Sequence, residues 1–166
     1  MAMNIVLLEP EIPANTGNIG RSCVATGARL HLIRPLGFSL EEKQLRRAGL
    51  DYWKDLDLHV YDSFEEFRGK NPGARMFFLT TKAPHCYTDA AFRDEDFLIF
   101  GRESAGIPEE ILVEHRESCL RIPMVPENRS LNLSNAAAIV LYEALRQQQF
   151  AGLEETGRLH RLHWKE

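Results

Sequence analysis

Short apolar runs that alternate with helix signals constrain the fold of this chain more than any other sequence feature. Each run is rich in Val, Ile, Leu or Phe and ends near a turn residue, which is typical of buried strands. The runs cover residues 4–8, 30–34, 58–61, 76–80, 97–100 and 119–122. Because helical segments separate most of them, the pattern predicts an α/β fold with a mostly parallel sheet flanked by helices.

Capping residues mark where the helices are expected to begin and end. Helices are predicted after the Ser-x-x-Glu capping boxes at residues 39–42 and 63–66, and over residues 19–26, 108–115 and 136–149. Pro108 suits the first position of the helix at residues 108–115. Gly27 is expected to end the helix at residues 19–26. Ser134 or Asn135 is the expected N-cap of the last helix. Residues 9–18 and 81–93 are predicted to be irregular.

Length and composition limit the class of protein. The 166 residues suffice for one domain, predicted over residues 1–151, followed by a loosely structured tail at residues 152–166. No apolar run could span a bilayer, and the N-terminus lacks the basic region of a signal peptide, so a cytoplasmic protein that does not contact membranes is expected. The net charge of −4 disfavours indiscriminate nucleic-acid binding but allows a local basic patch.

Several common kinds of site are disfavoured. The three cysteines are far apart and form no C-x-x-C motif, and two of them, Cys23 and Cys119, are expected in the core. His160 and His163 have no carboxylate or cysteine beside them, so no metal site is predicted. Residues 15–21 match neither the dinucleotide fingerprint nor the P-loop, which disfavours a nicotinamide or ATP enzyme.

Four loops leave the carboxyl ends of predicted strands, at residues 10–18, 80–86, 101–108 and 124–135. Because ligands of open α/β sheets bind at those ends, the loops are predicted to converge on one site. Arg21 is placed in the first turn of its helix, either exposed or aimed at an anion such as a phosphate. Glu103 is either a solvated loop acid or a carboxylate that orients a partner or handles a proton.

Basic residues accompanied by aromatic residues lie in two places. Arg46 and Arg47, with Lys43, precede Tyr52 and Trp53. The tail carries a second group, consisting of Arg158, His160, Arg161, His163, Trp164 and Lys165. Such groups contact RNA through phosphates and base stacking, but they also occur as ordinary solvated faces, and both interpretations stay open.

Three segments together resemble the sequence blocks of the SPOUT methyltransferases, in the same order. They are NTGNIGR at residues 15–21, FGRESAGIP at residues 100–108 and IPMVPENRSLNLSNAAA at residues 122–138. The chain is most similar to the members that methylate the ribose 2′-hydroxyl of the tRNA wobble nucleotide, C or modified U, and the resemblance extends from residue 4 to about residue 148. It implies a parallel α/β fold with a deep C-terminal trefoil knot, a homodimer, and S-adenosylmethionine as methyl donor with S-adenosylhomocysteine as product.

The same resemblance implies the site residues. The cofactor pocket would be lined by Leu79, Gly101, Ile122, Met124, Ser130, Leu131 and Asn135. The reacting centre, at the dimer interface, would contain Asn15, Arg21, Glu103, Ser130 and Asn132. Ala136 to Ala138 and the helix through Tyr142 would pack in the dimer, and RNA contacts, to the tRNA anticodon stem-loop, are predicted for Arg46, Arg47 and Tyr142.

Two positions depart from the family pattern. Arg102 stands where relatives often have proline, and Gly20 stands where a larger apolar residue is common; a helical glycine costs up to about 1 kcal/mol relative to alanine. Because a guanidinium is always protonated, Arg21 is expected to hold a phosphate and polarise the hydroxyl. The alternative function is a non-catalytic RNA-binding dimer with a vestigial cofactor pocket.

Overall fold

Seven strands form one sheet in the part of the chain that the computed structural model describes, residues 1–41 and 52–166. They are β1 (Asn4–Leu8), β2 (Arg29–Ile33), β3 (Leu58–Tyr61), β4 (Met76–Leu79), β5 (His85–Cys86), β6 (Phe97–Phe100) and β7 (Cys119–Arg121). Their order across the sheet is β3-β2-β1-β6-β4-β7-β5, and every neighbouring pair is parallel. The predicted α/β fold with a parallel sheet is confirmed.

The strand predictions are close, with one omission. The bounds of β1, β3 and β6 are as predicted, those of β4 and β7 end one residue earlier, and β2 begins and ends one residue earlier than predicted. The omitted strand is β5, in the stretch 81–93 that was predicted to be irregular. It has two residues and pairs only with β7, so it is too short to carry a periodic signal.

Helices cover both faces of this sheet. The described helices are α1 (Pro13–Thr26), α2 (Phe64–Lys70), α3 (Glu109–Leu112) and α4 (Leu133–Gln147). Alternate residues of β1 face opposite cores: Leu7 packs in the cluster that includes α1 and α4, and Val6 packs in the cluster that includes α2 and α3. Cys23 and Cys119 are buried in these cores, as predicted.

Two helices begin earlier than predicted. The loop predicted at residues 9–18 is wrong from Pro13 onward, because proline is tolerated in the first helical turn and the next turn is buried against the sheet. Arg21 therefore lies in the third turn of α1, beyond the reach of the helix end, and the predicted conflict with the helix dipole does not arise. In α4 the N-cap is Asn132, neither Ser134 nor Asn135.

The remaining helix predictions have mixed outcomes. Ser63 accepts a hydrogen bond from the N–H of Glu66 at 3.0 Å, so it is the N-cap as predicted, but the Glu66 carboxylate accepts from the N–H of Asp62 at 2.6 Å and not from that of Ser63, so the full capping box does not form. The helix predicted after Ser39 falls largely on residues 42–51, outside the described residues. Only residues 109–112 of the helix predicted at 108–115 are α-helical, and a kink at His115 follows within a short 3₁₀ segment (Val113–Ser118). Residues 152–166 contain neither helix nor strand, and none of the described helices has the length and apolarity to cross a membrane.

A buried histidine lies in the middle of β2. His31 is 2% exposed, and its ring nitrogens pair with Tyr61 Oη and Asn4 Oδ1, both at 2.9 Å. Burial, with smaller contributions from the positive charges of His59 and Arg29, lowers the pKa of His31 to about 3. The imidazole is therefore neutral in the folded protein between about pH 3 and pH 6.5, a range in which the unfolded chain would protonate it.

This histidine predicts a loss of stability in mild acid. Between about pH 6.5 and pH 3 the unfolded chain binds a proton at His31 while the folded protein does not. The free energy of unfolding therefore decreases as the pH is lowered through this range. At pH 5 the expected decrease from this group is about 2 kcal/mol relative to pH 7.5. Urea titrations at both pH values test this. The His31→Gln variant should show a smaller change between them, and an equal change would contradict the prediction.

Candidate active site

One cavity of about 580 Å³ lies beyond the carboxyl ends of the central strands. All four loops that the sequence singled out contribute to it, through residues such as Asn15, Thr80, Gly101 and Ser130. The predicted convergence is confirmed. Its cause is the parallel sheet, which brings the ends of β1, β4, β6 and β7 to the same edge although these strands are distant in sequence.

The cavity has an apolar floor and a polar rim. Strand ends and the segment after β7 supply the apolar part, which consists of Leu79, Phe100, Leu120, Ile122, Met124, Leu131 and Leu133. The rim contains hydroxyl, amide and charged groups, among them Ser130, Asn132 and Glu103. Apolar walls with a few convergent polar groups are typical of sites for small organic ligands.

The loop after β6 forms one wall and is closed on itself. Arg102 and Gly106 exchange backbone hydrogen bonds, with N···O distances of 3.3 and 2.8 Å. A Cβ atom on Gly101 would stand 2.1 Å from the carbonyl carbon of Gly106 and 2.2 Å from the nitrogen of Ile107. Only glycine fits at position 101, because both obstacles are backbone atoms that cannot rotate away.

Glu103 joins this loop to the start of α1. Its carboxylate accepts hydrogen bonds from the N–H groups of Glu11 at 2.9 Å and Ile12 at 2.8 Å, and from Asn15 Nδ2 at 3.2 Å. The first turn of α1 has no acidic residue and no side-chain cap of its own, so Glu103 supplies the negative charge that a helix N-terminus favours. The geometry supports the interpretation that Glu103 orients a partner.

A reciprocal contact strengthens the same junction. One carboxylate oxygen of Glu11 accepts from the N–H of Ser104 at 2.9 Å and from its Oγ at 2.7 Å. These hydrogen bonds, with a smaller contribution from the charge of Arg102, hold the pKa of the Glu11 carboxyl below its usual value. The two loops are thus joined by carboxylates that point in opposite directions.

The network continues from Asn15 to the start of α4. Asn15 Oδ1 accepts from Asn132 Nδ2 at 3.1 Å, and Asn132 Oδ1 accepts from the N–H groups of Ser134 at 2.9 Å and Asn135 at 3.2 Å. Asn132 therefore caps α4 with its oxygen and binds Asn15 with its nitrogen. The three sequence blocks are held together by the side chains of Glu103, Asn15 and Asn132.

These two roles of Asn132 can be separated by mutation. Asn132→Ala removes both and should lower stability by about 1 kcal/mol, the usual cost of losing an N-cap, as well as activity. Asn132→Ser keeps a capping oxygen but loses the amide donor, so stability should be largely retained while activity falls. Thermal unfolding and methyl-transfer rates measure the two effects; full activity in the serine variant would show that the bond to Asn15 is dispensable.

The structure places most predicted site residues at the cavity and leaves some outside it. Those that line it are Asn15, Leu79, Gly101, Glu103, Ile122, Met124, Ser130, Leu131 and Asn132. Asn135 is exposed in the first turn of α4 and does not line the cavity, and Tyr142 is 46% exposed on the same helix. The predicted RNA contacts Arg46 and Arg47 lie outside the described residues.

Arg21 lies away from the cavity of its own chain. Six helical positions separate it from Asn15, which turns the two side chains toward different sides of α1. Its guanidinium stands over the ring of Tyr52, with the carbon 4.9 Å from the ring centre. Gly20 also has a local explanation, because a Cβ there would meet the ring of Trp53 at 3.1 Å.

The sequence did not identify several lining residues. Thr80, Lys82 and Arg129 line the cavity, and Lys82 pairs with Glu109 at 2.9 Å. Thr80 and Lys82 belong to a loop that was recognised by position alone. Only their place directly after β4 could have indicated them, since they belong to no recognised motif.

Comparison with known proteins agrees with this geometry. The model of the SpoU rRNA methylase family matches residues 2–142. A Methylovorus glucosotrophus protein named tRNA (cytidine(34)-2′-O)-methyltransferase is 54% identical, with 90% of this chain and 97% of that protein covered.

Solved structures are similar over most of the chain as well. A structure described as giving insights into the 2-OH methylation of C/U34 on tRNA has a TM-score of 0.86 and 47% identity, covering 90% of this chain and 97% of that one. The SpoU methyltransferase AviRb from Streptomyces viridochromogenes, in complex with AdoMet, has a TM-score of 0.77 and 25% identity, covering 90% of this chain and 62% of that one. This chain belongs to the SpoU rRNA methylase family, as its resemblance to the SPOUT methyltransferases predicts.

Proposed function

We propose that this protein transfers a methyl group from S-adenosylmethionine to the ribose 2′-hydroxyl of the anticodon wobble nucleotide, nucleotide 34, of tRNA. The observation that carries the proposal is the meeting of three separate sequence blocks at one cavity, joined by Glu103, Asn15 and Asn132. The relative from Methylovorus glucosotrophus, which matches over nine tenths of the chain, is named for this activity on cytidine. With tRNA as its substrate, the protein would act in the cytoplasm.

The cavity suits the methyl donor. Its volume of about 580 Å³ is in the range of sites for small organic ligands, and its floor is apolar while its rim is polar. The tight loop around Gly101, where a Cβ would collide with backbone, keeps that wall open to a ligand. Leu79, Ile122 and Leu131 would pack against the bound molecule, with Gly101, Met124 and Ser130 around them. S-adenosylmethionine supplies an electrophilic methyl group on a sulfonium, and S-adenosylhomocysteine is the expected product.

Strand order supports the knot that the family resemblance implies. Strand β7 lies between β4 and β5, although β4 and β5 are connected by only residues 80–84. In a knotted chain that short connection would pass across the end of β7, and the chain after β7 would continue beneath it to α4. We infer that residues 1–151 form one domain whose C-terminal segment is threaded through this loop, with residues 152–166 as a tail.

The position of Arg21 supports a homodimer with a shared active site. Arg21 faces away from the cavity of its own chain, so it would reach a reacting centre only when a second copy is alongside. On α4, Ile139 is 37% exposed and Tyr142 is 46% exposed, and both lie on one side of the helix. This partly apolar face would pack against the second copy together with Ala138, whereas Ala137 is 3% exposed in the chain's own core and Ala136 packs against that core.

The chain's own groups would align the hydroxyl and the methyl group. Arg21 holds the phosphate that adjoins the reacting ribose and polarises the 2′-hydroxyl, because a guanidinium donates but does not accept protons. Ser130 and Asn132 flank the hydroxyl, and Glu103 fixes the position of Asn15. Alignment of this kind contributes ~7–11 kcal/mol to lowering barriers of two-reactant steps. The tRNA anticodon stem-loop would be held by Arg46, Arg47 and Tyr142.

Mass spectrometry of tRNA tests the proposal directly. Undermodified tRNA incubated with the protein and a deuterated methyl donor should acquire one labelled methyl group on the ribose of nucleotide 34. A matched tRNA that carries a 2′-deoxyribose at this nucleotide should acquire none. The alternative, a non-catalytic RNA-binding dimer, predicts no labelled nucleoside and no heat of binding for S-adenosylmethionine at millimolar concentration.

A further inference from the structure

We propose that Arg102 binds an anionic oxygen of the ligand in the cavity, as a specificity-determining residue for the reaction proposed above, on which this inference rests. Arg102 lies in the tight loop after β6, at the cavity wall. The anionic oxygen belongs either to the amino-acid carboxylate of the methyl donor or to a phosphate of the RNA.

The guanidinium of Arg102 has an unused donor. Its Nε is shielded from solvent and has no hydrogen-bond partner among residues 1–41 and 52–166. Charged side chains are rarely left in this state, because a donor that is withdrawn from water and not bonded costs free energy. A ligand oxygen in the adjoining cavity would provide the missing acceptor.

The loop holds Arg102 in place for such a contact. Both backbone polar groups of Arg102 are bonded to Gly106, and Gly106 adopts a positive φ of 68° that closes the turn. Because Gly101 allows no displacement toward Gly106, the Cα position of Arg102 is fixed at the cavity wall. Only the side chain remains available for binding, and little backbone ordering would be needed when a ligand enters.

The charged side chains near Arg102 already have partners of their own. Lys82, which also lines the cavity, is paired with Glu109 at 2.9 Å. The carboxylate of Glu103 is bonded to the start of α1, and that of Glu11 is bonded to Ser104. Neither glutamate forms an ion pair with Arg102 within the described residues. The positive charge of Arg102 contributes to the lowered pKa of Glu11, but no carboxylate among the described residues accepts a hydrogen bond from its Nε, so this donor remains open to an anionic oxygen at the cavity.

The planar guanidinium of Arg102 favours an anion that has two oxygens. A guanidinium presents parallel N–H donors that match the two oxygens of a carboxylate or a phosphate. A lysine at this position would keep the charge but lose the paired geometry. We therefore expect Arg102→Met to remove the interaction and Arg102→Lys to restore part of it.

Calorimetry with two methyl donors, S-adenosylmethionine and its decarboxylated form, shows whether Arg102 binds the carboxylate of the methyl donor or a phosphate of the RNA. If the carboxylate is bound, Arg102→Met should weaken S-adenosylmethionine by about ten- to hundredfold, leaving decarboxylated S-adenosylmethionine and tRNA unaffected. If a phosphate is bound, both donors should bind the variant normally, and tRNA should bind it about ten- to hundredfold more weakly and with a smaller salt dependence. Unchanged affinity for all three ligands would overturn the inference.

Two controls keep the result interpretable. Arg116→Met removes an exposed cation from the 3₁₀ segment Val113–Ser118, which does not line the cavity, and should change none of the three affinities. An equal loss in that variant would mean that total charge is responsible and would refute a specific contact. Thermal unfolding of Arg102→Met and Arg102→Lys checks that both are folded.

If the unchanged protein binds no methyl donor, the proposed function itself fails. If the unchanged protein binds the ligands and Arg102→Met binds them equally well, only this inference fails.

Discussion

Replacing Arg21 with alanine is expected to lower the rate of methyl transfer by about 10²–10⁴-fold and to leave the affinity for S-adenosylmethionine nearly unchanged. The two effects separate because Arg21 lies on a different side of α1 from Asn15 and does not line the cavity. Single-turnover rates on tRNA and calorimetry with the methyl donor measure them independently. A variant that retains full turnover would contradict the role given to this residue.

A matched variant isolates the contribution of the neighbouring aromatic ring. Tyr52→Leu removes only the ring under the Arg21 guanidinium, a contact worth about 0.5–1 kcal/mol at an exposed site. It should therefore reduce the rate several-fold at most. A loss as large as that of Arg21→Ala would show that the orientation of the guanidinium, more than its presence, limits the reaction.

Mixing variants tests whether Arg21 acts on a second copy. Arg21→Ala has an intact cavity, while Gly101→Ala has an intact Arg21. If the reacting centre combines the cavity of one chain with Arg21 of another, dimers formed from the two inactive variants should contain one complete site and recover part of the activity. No recovery in dimers shown to be mixed would place both residues in the site of a single chain.

Gly101→Ala is expected to abolish binding of the methyl donor and to lower the free energy of unfolding by about 3 kcal/mol. The added methyl group would stand 2.1 Å from the carbonyl carbon of Gly106, and both lie in a backbone turn that is closed by the hydrogen bonds between Arg102 and Gly106. The loop must open to relieve the collision, which displaces the cavity wall. Calorimetry and urea unfolding measure the two losses.

Gly69→Ala is the matched control for this substitution. Gly69 lies in α2, and nothing is within 4 Å of a Cβ added there. Because alanine favours the helix over glycine by about 0.5–1 kcal/mol, this variant should be slightly more stable and should bind the donor normally. Normal donor binding by Gly101→Ala would show that the loop can adjust and that the cavity wall is softer than its contacts suggest.

Local features were well predicted from the sequence. Strand β6, and β1 after Asn4, are apolar because they are buried on both faces, and this composition marks them without any tertiary information. The N-cap at Ser63 is confirmed for a similar reason, since the hydrogen bond that it accepts from the N–H of Glu66 spans only three residues. The convergence of the loops also followed, because a parallel sheet brings all carboxyl ends to one edge.

Predictions failed where a distant side chain decides local structure. The start of α1 was placed too late because its N-terminus is stabilised by Glu103, which is 92 residues away from Glu11 in the chain. Similarly, Asn132 was not recognised as the N-cap of α4, and its second bond, to Asn15, joins residues 117 positions apart. Short β5 exists only because β7 is inserted beside it.

The sequence by itself determined the α/β class, the positions of the longer strands and the three blocks that identify the family, because these depend on composition and on spacing within a few residues. The packed structure was needed to show that Glu103 stabilises a helix start, that Arg21 faces away from the cavity of its own chain, and that the Nε of Arg102 has no hydrogen-bond partner among the described residues. Those facts depend on which distant backbone donors and charges meet at the sheet edge. Such contacts form only when the chain packs, because local propensity does not encode contacts between residues about a hundred positions apart.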